Sequence, residues 1–286
     1  MGMTGRGDNA SQAPAGKGSP GAQPRPILPK RFYKSVTVAS GVPSPIVPEA
    51  RPRHDVGEGQ GGGDGATSPS QTFRILLDGK PARTPAKAEL AVPTRALAEA
   101  VAAEWAAQGD HIDAATMPLT RLVNTAVDGV TPHLAQVRAD ITVFASSDLV
   151  CYRADGPEPL VERQCAQWDP VLAWARDALG ARFAVATGLM PVTQPEDAVA
   201  AITAALQNLD QFRLAGLHVM TTLTGSALLA LAHARGALTV EAAWVAAHVD
   251  EDWQISQWGE DADAAARRAR RWTEMQAASR LLALLG

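Results

Sequence analysis

The residues with most capacity for chemistry cluster in one run, His248-Val249-Asp250-Glu251-Asp252-Trp253-Gln254-Ile255-Ser256-Gln257-Trp258-Gly259. Wound as a helix at 100° per residue, the run puts Trp244, His248, Ile255 and Trp258 on one narrow stripe, with Glu251 in its middle. Burying a carboxylate unpaired is costly, so Glu251 needs a cation from the fold or from another molecule. Four roles fit it: a general base with a pKa raised by burial, a metal ligand, a core ion pair that fixes helix register, or an acid in a groove that faces a partner.

A zinc site needs paired His or Cys at ligand spacing. The run after His248 lacks a second His four residues on, and Asp250 turns away from it. His218 and His233 belong to another helix at an uninformative spacing, so capped or surface histidines are expected. A serine nucleophile needs a sharp elbow, whereas Gly225-Ser226 sits within a helical pattern and suggests close helix packing. The stretch Gly61 to Gly65 has no strand before it and no helix after it, which makes it a linker rather than a phosphate loop. Cys151 and Cys165 form neither a metal motif nor a disulfide framework; both are expected as buried free thiols. Trp105, Trp168 and Trp174 fall on amphipathic faces and are expected in the core. Trp253 and Trp258 point to opposite sides of one helix. Both are expected to pack within the chain, and one left exposed beside the carboxylates would be a binding hot spot. Glu251 has His248, Arg121 or Arg163 as structural partners, or else a groove that receives a basic or amide-rich surface. A small-molecule enzyme with Glu251 as general base is the alternative functional reading, although no second convergent catalytic group accompanies it.

The chain has 286 residues, 46% of them hydrophobic, with seven Trp against two Tyr and a net charge of -4. That length suits one large domain or two ordinary ones. The charge leaves no footprint for nucleic acid or an anionic membrane surface. Arg267, Arg268, Arg270 and Arg271 form the one basic block and follow Glu260, Asp261 and Asp263. Asp263 and Arg267 stand at i,i+4, so a solvated helix face is expected. No apolar run is long enough to insert in a membrane, and the first thirty residues lack the apolar core of a secretory signal. A cytoplasmic bacterial protein, monomeric, is expected.

Residues 1–29 are low-complexity Gly/Pro/Ser/Gln sequence and are expected as a disordered tail. Residues 30–128 are expected as a β-rich N-terminal domain with a flexible insertion at 41–71 and a following helix. Its strands fall at Arg31–Val38, Phe73–Leu77, Lys80–Thr84 and Glu89–Val92, with an Asp78-Gly79 hairpin turn; Thr94 caps the helix of Leu97, Val101 and Trp105. Residues 129–286 are expected as the helical domain. Its helices begin at Thr131-Pro132, run from Pro159 to Leu179 before Gly180, open at a Thr193–Glu196 capping box, continue from Gln211 to Ala234, and from Thr239 to Gly259, and end with the Asp/Arg helix. The fold class is therefore α+β: a small antiparallel β-rich N-terminal domain followed by an all-α multi-helix C-terminal domain.

Several blocks together carry a resemblance. They are Arg31-Phe32-Tyr33-Lys34, Leu77-Asp78-Gly79-Lys80-Pro81-Ala82-Arg83-Thr84-Pro85, Glu104-Trp105, Met117-Pro118-Leu119-Thr120 and Asn124-Thr125. Further along stand Ser147-Asp148-Leu149, Cys151-Tyr152-Arg153-Ala154, Gln167-Trp168-Asp169-Pro170, Glu251-Asp252-Trp253-Gln254 and Gln257-Trp258-Gly259-Glu260-Asp261. Collinear from Arg31 almost to the last residue, they resemble the assembly chaperone of the F-type ATP synthase catalytic head, the α-subunit-binding chaperone family of mitochondria and alphaproteobacteria. The resemblance implies no catalysis, no cofactor and no metal. As partner it implies the free α subunit, held from aggregation before α–β assembly, in the bacterial cytoplasm or, in a eukaryote, the mitochondrial matrix. An acidic residue of the family's helical domain matters for function, and Glu251 matches that position; Gln254, Ile255 and Trp258 complete the expected partner-binding set. The 41–71 insertion is longer than this strand connection calls for, and the tail before Lys30 has no counterpart.

Overall fold

A computed structural model describes residues 28–41, 71–188 and 190–286. The expected disordered tail, up to residue 27, and the expected insertion, from 42 to 70, lie outside the described residues.

Four short strands form the N-terminal sheet: β1 (Val36–Gly41), β2 (Thr72–Leu77), β3 (Lys80–Pro81) and β4 (Ala91–Val92). β2 is central and pairs antiparallel with all three others, with Val36 opposite Leu77 and Gly41 opposite Thr72. Asp78 (φ 49°) and Gly79 (φ 78°) are consecutive left-handed residues, the backbone of the turn that Asp-Gly favours because its twist matches the strands. The first strand starts at Val36, not at Arg31. Tyr33 is the reason: it is buried and donates its hydroxyl to the carbonyl of Trp105 at 2.7 Å. Arg31 N–H meanwhile donates to Asp110 O at 2.9 Å. The segment thus follows α1 (Arg95–Ala106) before it joins the sheet. Thr94 caps α1 as expected, accepting from Leu97 N–H, and its hydroxyl donates to Leu284 O at 2.7 Å.

The helices beyond are α2 (Pro118–Asn124), α3 (Leu134–Ser146), α4 (Glu158–Leu179), α5 (Glu196–Leu206), α6 (Gln211–Thr224), α7 (Ala227–Ala234), α8 (Val240–Ala247), α9 (Val249–Trp258) and α10 (Ala262–Leu284). A two-stranded parallel ribbon, β5 (Tyr152–Arg153) with β6 (Ala186–Thr187), lies beside them. The α+β class holds. α4 buries Leu160, Gln164, Trp168, Val171 and Ala175 and ends at Gly180, as its apolar spacing predicts. The capping box at Thr193–Glu196 does not form. α5 starts after Pro195 with no side-chain cap, and Gln194 is buried instead, bonding both the N–H and the carbonyl of Ala184.

The expected continuous helix from Gln211 to Ala234 is two helices. Gly225 adopts φ +68°, which ends α6, and Ser226 caps α7 by accepting from Leu229 N–H at 3.0 Å. A buried carboxylate fixes this break. Asp148 is fully buried and accepts from Val150 N–H at 3.2 Å and from Leu228 N–H at 3.0 Å. It therefore closes the short 3₁₀ turn Leu149–Cys151 and the N-terminus of α7 together. Burial pushes its pKa up to about 6, against the pull of the Ser226 hydroxyl and the surrounding N–H groups.

Two outcomes are expected. Asp148→Ala leaves donors at both turns unmatched and should cost about 2–4 kcal/mol in urea denaturation. The pH response follows from a folded pKa raised above the ordinary 3.8. Folding then favours the protonated acid, so wild type should gain stability relative to Asp148→Asn as pH falls from 7 through 6 towards 4. A difference independent of pH would mean that Asp148 is not the titrating group.

Candidate partner-binding site

The helix expected from Thr239 to Gly259 is also two helices. Thr239 caps α8 by accepting from Ala242 N–H at 3.1 Å. At its end the imidazole Nδ1 of His248 bonds the carbonyl of Trp244 at 2.7 Å, and the His248 main-chain N–H turns to Val245 O at 3.1 Å. The side chain has taken the carbonyl that the next helical turn would use. α9 restarts after it, with Asp252 N–H on His248 O at 2.8 Å.

Two neighbours grip α9 from inside. On α4, Gln164 Nε2 donates to Asp250 Oδ1 at 2.7 Å, and the Arg163 guanidinium lies 5.0 Å from the centre of the Trp253 ring. On α10, Arg268 pairs with Asp252. One residue further round the helix from each of these acids stands Glu251, on the face they leave free.

Glu251, Gln254, Ile255 and Trp258, spaced i, i+3, i+4, i+7, line a single groove of about 300 Å3. Across it stand Glu260, Asp261, Ala264, Ala265 and Arg268, brought round by the turn at Gly259. The four residues singled out in the sequence therefore share one surface. Their environment differs from the apolar stripe expected of them. Trp244 and His248 enter the core, whereas the Glu251 side chain is 39% exposed and Trp258 is 83% exposed. The expectation that both tryptophans of α9 pack within the chain holds for Trp253 and fails for Trp258, because the break at His248 ends the shared stripe. His248, expected as a capped or surface histidine, is buried and bonded to the Trp244 carbonyl.

Of the three structural partners expected for Glu251, the two arginines are placed elsewhere. Arg121 pairs with Glu274, and Arg163 stacks on Trp253. What stands beside Glu251 is His248 Nε2, at 3.7 Å. A bond to a carbonyl places the imidazole proton on Nδ1, so Nε2 faces Glu251 without one. Burial holds the His248 pKa below its ordinary 6.5; the Trp244 carbonyl and the Glu251 charge act the other way. At neutral pH His248 therefore does not neutralise the Glu251 carboxylate, and Arg268, whose guanidinium feels the Glu251 charge, is bound to Asp252.

Sequence reasoning missed Arg268. It was expected on a solvated face with Asp263 and Arg267 as a pair; Arg267 is exposed, and Arg268 is the member of the block that turns inward. Asp261 caps α10 through Ala264 N–H at 2.7 Å. No group of His, Cys, Asp or Glu among the described residues is arranged to hold a metal ion.

Two measurements check this geometry. Trp258→Ala should change stability by no more than about 0.5 kcal/mol. Trp168→Ala should cost about 3–5 kcal/mol, because Trp168 is buried and donates to Ala246 O at 2.7 Å. In an NMR titration His248 should show a midpoint below 6.5, lower again in Glu251→Gln. The sign follows from the depressed pKa: its contribution to stability is complete above pH 6.5 and is lost as pH falls through the folded value. An upward shift in Glu251→Gln would contradict the His248–Glu251 contact.

Comparison with known proteins agrees on one family. The model of the ATP12 chaperone protein matches residues 30–176, from the strand region to within α4. Among solved structures, the chain resembles Atu1473, a proposed chaperone of Agrobacterium tumefaciens. The two are 49% identical over 91% of this chain and 87% of that one, with a TM-score of 0.77. Atp12 from Paracoccus denitrificans is 35% identical over 90% of this chain and 98% of its own, with a TM-score of 0.75. An Asp-to-Lys mutant of the same Paracoccus protein matches at 35% identity and the same TM-score, over 90% and 97% of the two chains. The chain belongs to the ATP12 chaperone family.

Proposed function

We propose that this chain is a non-catalytic assembly chaperone that binds the free α subunit of the F-type ATP synthase head and keeps it from aggregating until the β subunit replaces it. The observation that carries this reading is the groove on α9. It holds an 83% exposed tryptophan beside a half-exposed carboxylate with no guanidinium paired to it among the described residues, on a helix held from its inner side by α4 and α10. An exposed aromatic with a polar rim is the pattern of a protein-binding hot spot. A lone α subunit presents the apolar surface that its β neighbour should cover, and uncovered patches of that kind aggregate. Covering the patch and yielding it to a better-fitting neighbour requires only a difference in affinity, with no nucleotide hydrolysis.

In this reading Glu251, Gln254, Ile255 and Trp258 touch the client. Ile255 and Trp258 supply apolar contact, and Glu251 supplies orientation and selectivity. No described helix is long and apolar enough to cross a membrane.

Affinity capture from cells that co-express tagged chain and α subunit tests the assignment. Wild type should retain α subunit, and Glu251→Lys should retain at least about tenfold less, with an unchanged circular dichroism spectrum. Tenfold corresponds to about 1.4 kcal/mol, a modest value for reversing a charge at an interface. Full capture by folded Glu251→Lys would remove Glu251 from the interface. Failure of wild type to retain any α subunit would remove the client.

A further inference from the structure

The groove on α9 has a charge balance that says more about its occupant than its shape does. Its rim carries three carboxylates, Glu251, Glu260 and Asp261, against one guanidinium, Arg268. Arg268 is already bound to Asp252. Asp261 spends one oxygen on the first turn of α10. Glu251 has beside it a buried imidazole whose proton is turned the other way, and it shares the charge of Arg268 with Asp252 and Glu260. The surplus is negative, and it lies beside the exposed indole of Trp258 rather than in open solvent.

We propose that the α9 groove is a receptor for an arginine side chain on an apolar segment of the client. The guanidinium meets Glu251, and the stem and planar head lie along Trp258 and Ile255.

Three features select arginine over lysine. Glu251 and Trp258 are seven residues apart on one helix face, about 10 Å along the axis, a span for a long side chain laid lengthwise. A carboxylate at one end and an aromatic face along the side suit a group that is flat, forked and weakly hydrated. Guanidinium has all three properties, and ammonium has none. The same helix already uses this chemistry within the chain: on its inner side, Arg163 of α4 stacks on Trp253 at 5.0 Å. On its outer side the tryptophan and the carboxylate are present, and among the described residues no guanidinium of the chain stacks on Trp258. Ala264 and Ala265, small residues on the facing wall, leave room for apolar neighbours of the arginine.

The proposal rests on the α subunit being the client, and the test separates the two claims. The complex captured by the wild-type chain is treated with phenylglyoxal, which modifies arginine, and in parallel with acetic anhydride, which modifies lysine. Protection relative to free α subunit is read by mass spectrometry. At least one α-subunit arginine should be protected. Its replacement by Lys or Gln should weaken capture roughly tenfold, as expected for losing a cation–π contact together with a charged pair. Combined with Glu251→Gln or Trp258→Leu it should weaken capture little further, because the partners form one contact. If no arginine is protected, if the double-mutant cycle shows independent effects, or if the protected and coupled residue is a lysine, the arginine assignment is overturned while capture of the α subunit still stands. Absence of capture by wild type instead overturns the client reading beneath it.

Discussion

The whole helical part is keyed to one buried carboxylate. Asp148 has no exposed surface, yet its two oxygens close the turn at Leu149–Cys151 and the start of α7. A buried charge is tolerable only when its donors are complete, so the acid forces the chain to stop α6 at Gly225 and begin α7 where the N–H groups can point at it. α7 is then placed among α3, α4, α6 and α8, with Ala227 to Ala232 buried. The segment after Asp148 is locked just as firmly. Arg153 is buried and bonds Val150 O and Asp169, and burial pushes the Cys151 thiol up to about 12. That thiol has a packing role and no nucleophilic one.

From this frame the groove follows by short steps. α4 holds α8 through Trp168 on Ala246 O, and holds α9 through Gln164 on Asp250. α10 holds α9 through Arg268 on Asp252. Three consecutive acids thus have three fates. They lie 100° apart round the helix, so a cluster that reads in sequence as one acidic patch is a hydrogen bond from an amide, an ion pair and one charge with no guanidinium paired to it. That one is Glu251: the imidazole next to it is engaged on its far side, and Arg268 is bound to Asp252.

What the sequence makes legible is whatever is settled within a few residues. Thr94 capping α1, Asp78-Gly79 turning the hairpin and Gly180 ending α4 are local signals, and each is found where the sequence reading puts it. The four groove residues are legible because helical spacing is also local. The break at His248 is local too, but no residue type marks where a histidine takes a carbonyl of its own helix. The break at Gly225 is not local and depends on an acid almost eighty residues away. Arg268 escapes for the same reason: its partner Asp252 lies across the Gly259 turn, where no fixed spacing applies. At Thr193–Glu196 a valid local signal loses to a tertiary one, because Gln194 is drawn into bonding Ala184. The exposure of Trp258 combines these effects, since the helix face is readable but the place where the helix stops sharing the core is not.

An exposed tryptophan in an apolar groove carries a hazard of its own, because such surfaces pair with themselves. The rim answers it. Two copies meeting groove to groove would bring Glu251, Glu260 and Asp261 against the same three groups, and like charges pressed together while losing water are repulsive. An apolar surface that carries a cation meets no such barrier. In the proposed role the carboxylates would act twice, raising the cost of the wrong encounter and orienting the right one. They also limit its strength: a half-exposed acid is screened by solvent and salt, so its pairing adds selectivity and little affinity. On the proposed reading, such a balance would let the groove hold a client firmly enough to hide its apolar surface, and loosely enough for a larger and drier neighbour to displace it.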